Sequence, residues 1–267
     1  MSIPPIFKGD VPANYEKYSG ASVFEPYALH LIEQIQNDKI KNVLEIACGT
    51  GRVTNHLAKL IPDNGIFYAT DISVDMVTVA KKIVANKKIK WQIEDAQALS
   101  FDNASFDHVV CQFGVMFFQD KSKAFAEVNR VLEMNGKFIF NTWDAIEYNP
   151  RAVLVKRVMR DVFNDVPEEL IKGVHFFSDK KEIRQLLEKA GFKNIHIMAV
   201  QKLSNYNTVD DIINAVTTGS FSSAFLSEKS IEQQDIFRQV LKNEIIGSYG
   251  EKNITIPMQA LVCQCTK

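Results

Sequence analysis

The stretch Val43-Leu44-Glu45-Ile46-Ala47-Cys48-Gly49-Thr50-Gly51 constrains this chain more than any other. Val43, Leu44 and Ile46 make a short apolar run with one acid inside it, the pattern of a parallel strand covered on both faces. Gly49 and Gly51 then permit backbone conformations closed to other residues and let a ligand approach the main chain. Behind them, Arg52 to Leu60 reads as a helix. Its first N–H groups lack partners within the helix and point at the turn. Strand, glycine turn and helix together form a receptor for a polar small molecule on an α/β framework.

The alternation continues downstream. Ile66 to Thr70 reads as a second strand ending at Asp71, and Ser73 as the N-cap of a helix reaching Ala85. Ile89 to Glu94 is a third strand ending at Asp95, and Phe106 to Gln112 a fourth. Lys121 to Leu132 is a helix and Gly136 to Thr142 a fifth strand. Strand and helix alternating in this way predict a doubly wound parallel sheet. Ahead of it, Met1 to Ala13 reads as irregular, Tyr15 and Tyr18 as sharing one side of a helical turn, and Pro26 to Asn37 as an amphipathic helix. After Trp143 the rhythm breaks. Helices are expected at Pro150–Phe163, Asp179–Ala190, Val209–Val216 and Ile231–Tyr249, with late strands at Asn194–Val200 and Met258–Cys265. One domain over residues 1–267 is expected, with a helical cap at 1–40 and helical insertions at 144–190 and 204–252 over the open face of the sheet.

Composition narrows the partners. A net charge of −1 gives no broad attraction to nucleic acid or an anionic membrane. The five lysines between Lys81 and Lys90 read as the solvated face of a helix and its exit. Four cysteines without a CxxC make neither a disulfide framework nor a zinc signature, so no metal is expected. Cys263 and Cys265, two apart, share one face of a strand and read as buried small apolar residues. With no signal-like segment and no run of membrane-spanning length, a cytoplasmic protein without membrane partners is expected, as a monomer or homodimer.

Ligands of open α/β sheets sit beyond the carboxyl ends of the strands. Glu45, Asp71 and Asp95 lie there or close by. A dinucleotide calls for G-x-G-x-x-G and an acid about twenty residues on. Asp71 has that spacing, but the third glycine falls at Thr54. S-adenosylmethionine carries no pyrophosphate and does not require that glycine. It needs an acid for its ribose diol and a polar group for its adenine, roles that suit Asp71 and Asp95.

Glu45 to Gly51 resembles motif I of the class I S-adenosylmethionine-dependent methyltransferases. Asp71-Ile72-Ser73 with Met76, Asp95-Ala96, Ser105-Phe106-Asp107 leading to Cys111-Gln112-Phe113-Gly114, and Glu127 with Arg130-Val131-Leu132 are similar to the family's later segments. The ordered set looks most like the ubiquinone/menaquinone-biosynthesis, or type 11, group and covers residues 14–145. The resemblance implies a Rossmann-like, seven-stranded, mostly parallel sheet with an antiparallel last strand, and S-adenosyl-L-methionine as cofactor. It implies that Ala47, Cys48, Gly49 and Gly51 face the cofactor's amino-acid part, and that Glu45 fixes the loop or reaches the amino group. Asp71 is implied to take both ribose hydroxyls, Ile72 and Met76 to pack near the adenine, and Asp95 and Ala96 to meet its edge. Gln112 and Phe113 are implied to line the path to the sulfonium, and Tyr18 to close over the cofactor, with Tyr15 and Phe24 as secondary candidates. Ala47 stands where the family often has glycine, and its backbone is expected to avoid positive φ.

No general base is identifiable. His175, in the first insertion, is the histidine expected to come nearest an acceptor. Phe113, Val115, Met116, Phe117, Trp143, Phe163, Phe176, Phe177, Phe221 and Phe225 fall at strand exits or in insertions, where enough of them facing the cleft would suit a small, partly apolar or aromatic methyl acceptor. The rival functions are an NAD(P)-dependent oxidoreductase and an S-adenosylmethionine-binding protein without methyl transfer.

Overall fold

The computed structural model describes residues 7–267, so the part of the expected irregular opening at residues 1–6 lies outside the described residues. A seven-stranded sheet forms the centre, in the order β3-β2-β1-β4-β5-β7-β6. The strands are β1 (Asn42–Glu45), β2 (Ile66–Asp71), β3 (Ile89–Ile93), β4 (Phe106–Gln112), β5 (Leu132–Trp143), β6 (Lys193–Thr208) and β7 (Lys252–Thr266). The first five pair in parallel, and β7 is antiparallel to both β5 and β6. The chain winds outward from β1 to β3, then returns to β1's other side with β4. The switch point therefore falls between β1 and β4, at their carboxyl ends.

The helices are α1 (Val11–Tyr15), α2 (Glu25–Glu33), α3 (Arg52–Leu60), α4 (Val74–Ile83), α5 (Lys121–Val131), α6 (Pro150–Val162), α7 (Glu168–Lys172), α8 (Lys180–Lys189), α9 (Val209–Thr218), α10 (Ser223–Ser227) and α11 (Ile231–Tyr249). Strand alternation sorts them into two layers. Val43, Phe67, Val110 and Ile139 turn toward one face, where Leu31, Val53, Leu57 and Val77 from α2, α3 and α4 cover them. Leu44, Val109, Phe138 and Phe140 turn toward the other, against Phe125 and Val128 of α5 and Ile183 and Leu187 of α8. Cys263 and Cys265 are buried free thiols on one side of β7, as their spacing implies. All five lysines between residues 81 and 90 are exposed.

Three features differ from the expected pattern. Helix α1 begins at Val11, inside the stretch expected to be irregular, with Pro12 in its first turn. Residues Glu16–Phe24 form a π-helical segment joining α1 to α2. The late strands also outrun their expected limits: β5 stops pairing with β7 at Trp143–Ala260, while β6 and β7 continue together to Thr208–Lys252. Residues 201–208 thus join an overhanging two-stranded ribbon, its part from residue 204 lying inside the expected second helical insertion. Ser204, Tyr206, Ile254, Ile256 and Met258 alternate onto its buried side, packed over the helices of the second insertion.

Candidate active site

A cleft of about 350 Å³ opens at the switch point. Its floor is the turn after β1. Gly49 adopts φ +55° with open space where a side chain would stand, so its backbone is accessible to a ligand. Ala47 adopts φ +51° and Phe113 the same value, which corrects the expectation that residue 47 avoids positive φ. The reason is a close crossing of the exits of β1 and β4. A Cβ on Gly114 would lie 2.4 Å from that of Ala47, so glycine at 114 makes room for alanine at 47. Asn141 of β5 holds the second turn, its side-chain oxygen accepting the Phe113 N–H at 2.8 Å.

Asp71 ends β2 inside the cleft. One carboxylate oxygen accepts the Gly49 N–H and the other the Ser73 N–H, each at 2.8 Å. Burial raises its pKa. Ser73 then caps α4, accepting the Met76 N–H at 3.2 Å. Glu45 is 1% exposed, and burial, followed by the charge of Asp71, pushes its carboxyl up to about 8. Its Oε2 has no hydrogen-bond partner among the described residues, nor does Oε1 of Gln112. Asp95 folds its own loop, accepting from the Gln97 N–H at 2.9 Å and the Gln97 side chain at 3.0 Å.

Of the expected site residues, Glu45, Ala47, Cys48, Gly49, Asp71, Ile72, Met76, Asp95, Ala96, Gln112 and Phe113 all line this one cleft. Gly51 and Tyr18 do not. At φ +86°, Gly51 precedes α3, and a Cβ there would meet Val84 at 2.9 Å. It allows close packing of α3 against the end of α4, between the cleft-lining Thr50 and Arg52. Tyr18 lies off the cleft because its segment is π-helical and not α-helical. The i→i+5 hydrogen bonding of such a turn puts Tyr15, Ser19 and Phe24 on the cleft side, and Tyr18 instead carries Lys17 Nζ over its ring at 4.8 Å. Tyr15, the secondary candidate, stacks on Phe24 at 4.4 Å and lines the cleft with it.

The N-terminal segment is fastened to the glycine turn. Glu16 accepts from Thr50 Oγ1 at 2.6 Å and pairs with Arg52, which also reaches Glu25 at 3.3 Å. His56 completes the row at 2.7 Å from Glu25. Gln112 donates to the Phe24 carbonyl at 3.1 Å, tying the cap to β4 as well. These pairings carry no local signal, because the partners lie more than 25 positions apart.

Beyond Phe113 the cleft becomes apolar. Trp143 stacks on Phe113 at 4.2 Å, and Met116, Phe117 and Phe221 also line it, as expected. Val115, Phe163, Phe176, Phe177 and Phe225 do not. Val115, Phe163 and Phe177 are buried in the core, Phe225 packs against it, and Phe176 is 51% exposed. Helix α6 contributes Arg151, Ala152, Val155, Lys156 and Met159, none singled out from the sequence. Their spacing fits one helical face, a pattern visible in the sequence but not its destination. His175 lies beside Trp143, its Nδ1 2.8 Å from the Asp144 carbonyl. That contact places the proton on Nδ1, and burial lowers the ring's pKa. Nε2 is then an acceptor, able to receive a proton.

A parallel five-strand core with β7 inserted antiparallel before β6, and an acid-lined glycine turn at the switch point, is the architecture of class I methyltransferases. Residues 44–140 match the family described as "Methyltransferase domain", type 11. The ubiquinone/menaquinone biosynthesis C-methyltransferase of Teredinibacter turnerae is 28% identical over 56% of this chain and 66% of its own length. The demethylmenaquinone methyltransferase of Staphylococcus carnosus is 27% identical over 70% and 84%. A solved structure of Haemonchus contortus phosphoethanolamine N-methyltransferase 2, in complex with phosphomonomethylethanolamine and S-adenosylhomocysteine, covers 96% of this chain and 56% of its own at TM-score 0.59 and 16% identity, a likeness of fold. Residues 44–140 thus carry a methyltransferase domain, and these relatives together with the fold support a class I S-adenosylmethionine-dependent methyltransferase with S-adenosylmethionine as cofactor. The residues present fit that cofactor: a buried carboxylate oxygen on Glu45 without a hydrogen-bond partner among the described residues suits an ammonium group, and the Asp71 carboxylate lines the same cleft.

Proposed function

We propose that the protein transfers the methyl group of S-adenosylmethionine to a small, partly apolar or aromatic acceptor, releasing S-adenosylhomocysteine. The observation that carries this reading is the continuity of the cleft from the acids at Asp71 and Asp95 to the aromatic wall of Phe113 and Trp143. When bound, the cofactor supplies a sulfonium methyl with a good leaving group, so in-line displacement needs little acid–base help. In this reading Asp71 holds the ribose, and Ile72, Met76, Asp95 and Ala96 surround the adenine. Ala47, Cys48 and Gly49 meet the amino-acid end, with Glu45 beneath it. Gln112, Phe113 and Tyr15 enclose the sulfonium. Positioning of this kind contributes up to roughly 7–11 kcal/mol in favourable cases. Where the acceptor must lose a proton, Nε2 of His175 receives it.

We read the whole chain as one domain, its cap at 1–40 and its insertions at 144–190 and 204–252 enclosing the acceptor. We also place it in the cytoplasm, in keeping with four free cysteines. No helix among the described residues is long and apolar enough to cross a membrane. Incubation with methyl-labelled S-adenosylmethionine and a fractionated metabolite extract tests the activity. Label in a low-molecular-weight product supports it, and its absence from every fraction refutes it.

A further inference from the structure

Arg151 and Lys156 are the unexplained charges of the acceptor half. Both stand on the cleft side of α6, among Ala152, Val155 and Met159. Neither forms an ion pair among the described residues. Arg151 donates to the Tyr206 hydroxyl, a phenol whose burial raises its pKa and keeps it neutral. Neither nearby acid pairs with them: Asp144 accepts from the Ala145 N–H and from the Gln259 side chain, each at 2.8 Å, and Glu147 faces solvent. The amino end of α6, thirteen residues long, opens on the same region, with Asn149 offering no side-chain cap. Its dipole adds positive potential there.

Partly desolvating two cations in an apolar cleft is costly unless a ligand brings the opposite charge. A guanidinium presents paired donors that match a planar carboxylate or a phosphate. We infer that the methyl acceptor is anionic, carrying a carboxylate or phosphate that Arg151 and Lys156 bind while its apolar body lies along Trp143 and Met159. The anchor fixes one end of the acceptor, and the wall between Phe113 and His175 directs the other toward the sulfonium. This inference rests on the methyl-transfer reading.

The test sorts the labelled product of the metabolite-extract reaction by charge on an anion exchanger at neutral pH. Retention is expected. Release of the label after phosphatase treatment marks a phosphate, and retention through that treatment marks a carboxylate. Arg151→Gln is expected to lower labelling about 10- to 100-fold at limiting extract, the loss of a charge-assisted contact. Its S-adenosylhomocysteine affinity is expected to stay within about threefold of wild type, and Arg151→Lys to recover part of the labelling. Lys156→Gln provides an independent variant should Arg151→Gln fail to fold. A neutral or cationic labelled product, or wild-type labelling by folded Arg151→Gln or Lys156→Gln, overturns the inference. Wild-type protein that binds S-adenosylhomocysteine yet labels nothing overturns the methyl-transfer reading itself, and this inference with it.

Discussion

Glu45 ties the stability of the free protein to pH. It ends β1 at 1% exposure, with Oε2 unpartnered among the described residues. Burial, then the Asp71 charge, raises its pKa from 4.5 to about 8. The folded value lies above the unfolded one, so its contribution is intact below the unfolded value and is lost as pH climbs through the folded value. Between about pH 5.5 and about pH 8.5 those two values correspond to about 3 kcal/mol of lost stability. Glu45→Gln keeps the shape and removes the titration. Urea unfolding of both proteins at the two pH values isolates the effect, since the raised pKa of Asp71 contributes a slope of the same sign to each. Wild type is expected to lose about 3 kcal/mol more than the variant over that interval. Parallel losses in the two proteins would refute the buried, neutral carboxyl.

Asp71→Ala removes the acceptor of the Gly49 and Ser73 N–H groups together with the proposed ribose contacts. Its dissociation constant for S-adenosylhomocysteine, by calorimetry, is expected to rise about 100-fold or more, and unchanged affinity would show the ribose assignment to be wrong. Gly114→Ala places a Cβ 2.4 Å from that of Ala47 and 2.8 Å from Cys111 Sγ. A loss of about 1–3 kcal/mol in urea unfolding is expected, and wild-type stability would contradict the tight crossing. Tyr15→Ala is expected to weaken S-adenosylhomocysteine binding about tenfold, while Tyr18→Ala changes it by less than about twofold. The reverse order would restore the α-helical reading of that turn.

The parts legible in the sequence are those governed by local rules. Helix α3 and strand β4 lie where periodicity put them, and Ser73 caps α4 as its residue type and position imply. Asp71 reaches the cleft because β2 ends there, which strand alternation alone dictates. The missed features depend on distant partners. A π-helical turn has no composition of its own, so Tyr15 and Tyr18 could not be ranked by spacing. Ala47 takes positive φ because Gly114, on another strand, leaves space beside it. Gly51 resembles a ligand-contacting glycine in the motif, yet its freedom serves the packing of α3 against Val84. The ribbon of β6 and β7 extends past β5 through mutual pairing across some fifty residues, and it brings Ser204 and Met258 to the acceptor pocket. The inward face of α6 shows the same limit: its periodicity marks a face, and only the fold shows that Arg151 and Lys156 enter the cleft.

Thermal-shift titration of the intact chain with S-adenosylhomocysteine and, separately, with NAD tests the central claim most directly. At about a hundredfold excess over its dissociation constant, S-adenosylhomocysteine is expected to raise the melting temperature by roughly 5 °C or more, with NAD leaving it unchanged. Stabilisation by NAD and none by S-adenosylhomocysteine would contradict the account.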